Sequence, residues 1–137
     1  MDAPKDGSPV WIGYEDARVT SPDGKSTTEW KYKWEPPHGD GLFSVRFQGR
    51  LLPELFWGRG YAWSPASDYF TLEQHTTDKR RLLFVVRVSD GRWFKVAEHA
   101  SVDRFVYPTI DFHIRGKEQD VCSKYRFSNN EVWELPD

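Results

Sequence analysis

The residues that could do chemistry in this chain stand in short polar segments. His38 and Asp40 lie in EPPHGDG, and His75, Asp78, Lys79, Arg80 and Arg81 in HTTDKRR. Glu98 and His99 are adjacent, and Lys117, Glu118 and Asp120 lie in GKEQD. Imidazoles beside carboxylates can hold a metal or move protons. No histidine here stands three or four residues from another, the spacing that a local ligand pair requires. No metal ligand, catalytic residue or cofactor is therefore assigned. His113 alternates outward on an expected strand. Cys122 is the only cysteine, which excludes an internal disulfide. A nucleophilic thiol needs a histidine partner in a partly exposed setting, and the expectation for Cys122 is a small buried or half-buried side chain. Ser21 and Ser64 each precede a proline, where turn chemistry accounts for them, and no Gly-x-Ser-x-Gly elbow occurs. Gly58-Arg59-Gly60 is too short for a phosphate loop.

Composition narrows the classes further. The chain has 137 residues and a formal charge of −2, with seven Trp, six Tyr and nine Phe beside one Met. That length suits one domain spanning residues 1–137 with a single core, and flat rings favour pleated surfaces. Lys and Arg are scattered, so no basic stripe offers itself to nucleic acid. The start, MDAPKDGSPV, lacks a basic then apolar leader, and no apolar run could span a bilayer. A soluble, cytoplasmic protein without membrane contact is expected.

The elements that must position these residues are strands. YAWSPASDYFTLEQ reads as strand, tight turn and strand, with Pro65 preset for the turn and Ser64 able to bond its backbone. Phe70 and Leu72 then point one way and Tyr69, Thr71 and Glu73 the other, the pattern of a half-buried strand. LLFVVRV follows, apolar almost throughout as befits a strand covered on both faces, then the hairpin signal Asp90-Gly91 and RWFKV. Upstream, ARVTSP, EWKYKW, LFSVRF and RLLPELF repeat the plan, with Trp30, Tyr32 and Trp34 on one face. Downstream, RFVYP, TIDFHIR, VCSKYRF and EVWEL do so again. Pro22, Pro65 and Pro108 are spaced 43 residues apart, and Arg46, Arg87 and Arg126 by 41 and 39. The expected fold is all-β, with three consecutive four-stranded antiparallel meanders at roughly 10–58, 59–99 and 100–137. A recurrence at about 40–45 residues suits propeller blades.

YAWSPASDYFTLEQ with LLFVVRVSDGRWFKV resembles a blade of the TolB or dipeptidyl-peptidase type of β-propeller, and SPDGK at Ser21 to Lys25 is similar to the turn of that motif. Tyr107-Pro108-Thr109-Ile110 lacks its Ser and Asp-Gly. The resemblance implies blade-like sheets and no particular activity. Propellers close with at least four blades, so three imply an open stack, a ring completed by a second copy as a homodimer, or another threefold fold such as a β-trefoil.

Blade-like rounds would gather the loops between second and third strands on one rim. The binding residues expected there are His38, Asp40, Trp57, His75, Asp78, Arg80, Glu98, His99 and Asp120. Trp11, Tyr14 and Trp57 stand outside the alternating faces, as interface anchors or as plugs of the sheet ends. The function this favours is a protein-binding module, an immunity or antitoxin-like protein that occludes the active site of a partner toxin enzyme, its acids meeting a basic cleft. The alternatives are a small-molecule or carbohydrate-binding β domain, and a hydrolase-type enzyme using rim histidines and acids.

Overall fold

The computed structural model describes residues 1–37 and 39–137, which form antiparallel ladders in two sheets with no helix among them. The expected all-β architecture is therefore present, and no described helix is long and apolar enough to cross a membrane.

The first round comprises β1 (Ala17–Thr20), β2 (Thr27–Trp34) and β3 (Leu42–Phe47), followed by the short β4 (Arg50–Leu51) and β5 (Leu55–Trp57). β4 pairs with the end of β3 and β5 with its start. Pro53, which has no N–H to give to a ladder, lies between the two pieces. The second round is β6 (Tyr69–His75), β7 (Arg81–Arg87) and β8 (Trp93–Glu98), preceded by Tyr61–Ser64, which bridges to β6 at Trp63 and Phe70. The third is β9 (Ala100–Val106), β10 (Thr109–Ile114) and β11 (Val121–Arg126).

Two features depart from three separate four-stranded sheets. β5 pairs with β6 as well as with β3, so the first two rounds form one eight-stranded sheet. In the third round the last segment leaves its own sheet. Glu134 exchanges two backbone hydrogen bonds with Trp93 of β8, at 2.9 and 3.0 Å, and the third sheet keeps three strands.

The middle strands are covered on both faces. Phe70, Leu72 and Val86 join Trp30, Phe43, Val45 and Phe47 of the first round in one core, while Leu83 and Val85 join Val102, Phe105, Ile110 and Phe112 of the third in another. β7 thus has the two-faced burial that its apolar run predicts. β6 does not match its half-buried expectation: Thr71 and Glu73 are buried too, because the third sheet lies over them.

Prolines 22, 65 and 108 all occupy the turn between the first and second strands of their rounds, the last with a cis peptide bond. The first two turns dock on each other, Asp23 N–H donating to Ser67 Oγ at 2.9 Å. Both need a left-handed residue at the same place, supplied by Gly24 (φ 75°) and by Ser67 (φ 68°). Inside the first core, two buried hydroxyls answer two indoles. Trp63 Nε1 donates to Tyr61 Oη, Trp30 Nε1 donates to Thr28 Oγ1 at 2.9 Å, and the two hydroxyls bond each other at 2.7 Å.

Candidate functional site

Loops from all three rounds converge on one groove of about 800 Å³. The β2–β3 loop brings Pro36 and Pro37, the β6–β7 loop brings Thr77, Lys79 and Arg80, and Arg115 opens the β10–β11 loop. Trp34, Leu55, Trp57, His75 and Arg81 come from strand ends, and His99 from the junction of β8 and β9. A concave, aromatic-lined space with a few charged groups is the usual form of a binding site. A broader concavity of about 1040 Å³ on the β1–β3 side is bordered by a mixture of charged and apolar residues, among them Arg18 and Glu29, which pair at 3.1 Å.

Backbone conformation also marks the groove. Six described non-glycine residues take a positive φ, and three of them, Glu54 (67°), Lys79 (65°) and His99 (55°), line this one space. Such conformations are held against a local energetic preference and concentrate at functional sites.

The central side chains form a stack. The Arg81 guanidinium lies 4.4 Å from the centroid of the Trp57 ring, and Trp57 meets His75 edge-on at 5.2 Å. Arg81 Nη1 donates to buried Glu73 Oε1 at 2.7 Å and to Ser101 Oγ at 3.2 Å. Arg115 Nε and Nη2 reach the same Ser101 Oγ at 3.1 and 3.0 Å. Burial pushes the Glu73 carboxyl upward against the opposing pull of Arg81, the Val102 N–H and Ser101. The guanidinium stays charged. His75 is shifted below the ordinary imidazole range, first by burial and then by the positive charge of Arg81. It enters neutral solution uncharged.

Four of the nine residues expected to bind, Trp57, His75, Arg80 and His99, line the groove. Asp78 and Glu98 border it through Arg80, at 2.8 and 3.5 Å, and Glu98 also holds Lys95 at 2.7 Å. Asp40 pairs with Arg59 at 3.4 Å, and Asp120 lies 3.5 Å from His113 Nε2. Neither Asp40 nor Asp120 lines the groove, and His38 lies outside the described residues. All four expected acids therefore already face cations or an imidazole of their own chain, and the groove itself is lined by more bases than acids. Among the described residues no three His, Cys, Asp or Glu side chains converge to hold a metal.

The chain matches no protein-family model, no curated protein and no solved structure. The site rests on its own geometry.

Trp34, Pro36, Pro37 and Arg115 line the groove without having been expected there. Trp34 belongs by alternation to the core face with Trp30 and Tyr32, yet it is 47% exposed. A bulge between Tyr32 and Trp34 breaks the register and releases Trp34 from that face. Pro36 and Pro37 follow at once, and a proline pair after an aromatic strand end was the available signal. Arg115 reads as an ordinary strand end, and only the fold brings it beside Ser101 and Arg81. Of the rings outside the alternating faces, Trp11 (53% exposed) and Tyr14 (42%) pack edge to face at 6.0 Å, with Arg59 over Trp11, whereas Trp57 is half-buried. Cys122 is exposed rather than buried, because β11 is the outer strand of its sheet; it stands opposite His113 on β10. His113 Nδ1 meets Asp103 at 2.8 Å.

Proposed function

We propose that this protein is a protein-binding module that works through the loop-end groove, of the immunity or antitoxin type, covering the active site of a partner enzyme. The observation that carries the reading is the convergence of three sequence-distant loops on one aromatic and cationic groove, where three non-glycine residues hold left-handed backbone. Trp34 and Trp57 supply rigid contact area at low entropic loss, the usual anchors of protein recognition. The charge pattern revises the mechanism. With Asp40, Asp78, Glu98 and Asp120 engaged within the chain, encounter is steered by cations of the groove toward an acidic surface of the partner. The blade-like reading of the three rounds fits this use, since repeated sheets place equivalent loops on a shared edge.

The test compares baits. Wild-type protein, W34A and the outer-face variant R18A are used to capture partners from the native cell, with quantitative mass spectrometry. A partner held by wild type and R18A but lost by W34A, and inhibited as an enzyme by the wild type, is the expected result. A set of partners indifferent to W34A refutes the groove as the recognition surface.

A further inference from the structure

We propose that the groove recognises a single carboxylate, presented by the partner beside an aromatic or branched apolar side chain. Arg115 and Lys79 receive the carboxylate, and Trp34 and Trp57 receive the apolar part. This rests on the groove being the recognition surface, and it names the chemistry recognised there.

The charge count around Ser101 carries the inference. Its hydroxyl accepts from Arg81 and twice from Arg115, and donates to Glu73 Oε1 at 3.0 Å. The other Glu73 oxygen takes the Val102 N–H at 3.1 Å. One carboxylate, 1% exposed and fully engaged, thus stands against two guanidiniums. Arg81 has Glu73 as its counter-ion, whereas Arg115 forms no ion pair among the described residues and spends two of its three nitrogens on a shared hydroxyl. Lys79 also forms no ion pair there, and its left-handed backbone sits on the groove wall. Two exposed cations without ion-pair partners at the edge of one groove favour an anion there, through an attraction that salt screens.

The kind of anion follows from its surroundings. A guanidinium edge matches a planar carboxylate with two parallel hydrogen bonds. Glu54 lines the same groove and offsets one of the two unpaired cations, so the positive charge left for a ligand to balance matches a singly charged carboxylate rather than a doubly charged phosphate. Trp34, 47% exposed, with Pro36 and Pro37 beside it, gives an apolar companion group a wall that no residue of the chain covers among those described.

Three probes that each carry one phenyl ring separate these terms: N-acetylphenylalanine, its near-isosteric neutral amide, and phenyl phosphate. Each is titrated into the full chain while the Trp57 indole N–H resonance is followed, assigned by its loss in W57F. The acid is expected to give a saturable shift with at least about tenfold tighter binding than the amide, the size of a charge-assisted hydrogen bond. That advantage shrinks with salt and disappears in R115Q and falls in K79Q, both verified as folded by their dispersed spectra. Equal binding of acid and amide, tighter binding of phenyl phosphate, or no saturable shift with any probe each overturns the carboxylate proposal. W34A-dependent capture of a partner would survive those failures, so the groove reading and its carboxylate chemistry fall separately.

Discussion

A side-chain carbon at Gly60 would overlap the carboxylate of Glu73, so the left-handed turn at Gly60 (φ 81°) and the buried acid occupy one shared space. Only a residue without Cβ lets the chain pass that close. Gly60→Ala is expected to lower stability by roughly 3 kcal/mol or more, overlap and backbone strain acting together. Glu73→Gln removes the carboxylate paired at 2.7 Å with a guanidinium that is 13% exposed, and should cost about 3–5 kcal/mol. Urea unfolding of both variants checks this; a loss under about 1 kcal/mol in either would mean that the network is not closed as described.

The ladder inside the first core makes a second demand. Tyr61 Oη links Trp63 Nε1 and Thr28 Oγ1, and burial holds its phenol well above the ordinary range. Tyr61→Phe keeps the ring and deletes the link, leaving an indole N–H buried without an acceptor. A destabilisation of about 1–3 kcal/mol is expected. Thr28→Val in the same background should add less than it does alone, which a double-mutant cycle measures.

The paired Ser-Pro turns allow a finer test. Ser67 holds a left-handed conformation and accepts the Asp23 N–H. Ser67→Ala keeps the strain and loses the acceptor, so it should be destabilised by about 1 kcal/mol. Ser67→Gly loses the same acceptor but relieves the backbone, and thermal unfolding should place it close to wild type.

Acid sensitivity has a defined local source in the turn after β11. Glu131 accepts from Tyr125 Oη, from Ser128 N at 2.7 Å and Oγ at 2.8 Å, and from Asn129 N at 3.1 Å. Burial pushes its carboxyl up, but these donors outweigh that and hold it at about 2, below its ordinary 4.5. The unfolded chain therefore binds the proton first. The stabilisation is complete above about 4.5 and is lost as pH falls toward about 2. Glu131→Gln should lose about 1 kcal/mol at pH 7 and show a shallower decline over that acid window, read from denaturant midpoints against pH.

Much of the architecture was legible in the chain because turn chemistry and alternation are local. The Ser-Pro turns and the apolar run of β7 follow from residues within a few positions of one another. Burial of Glu73 was not legible, because its partners Arg81, Ser101 and Val102 come from β7 and the third sheet. The exposure of Trp34 turns on one bulge, which alternation assumes away. The departure of the last segment toward Trp93 is accompanied by packing of Trp133 against Tyr69 and Phe94, contacts between sequence-distant residues that no short stretch records. The groove was half visible for the same reason: its loop residues are polar and local, while Arg115 belongs to it only through the stacking of sheets.

The double pairing of β5 bears on how such a chain could arise and be dismantled. A strand of three residues that serves two neighbours at once leaves no seam at which one unit could be excised intact. Fragments cut before or after Leu55–Trp57 each inherit a raw edge, and should regain order only when mixed. Any ancestral duplication behind the threefold pattern has since been welded, so swapping a whole unit from another protein would break the molecule where a loop exchange would not.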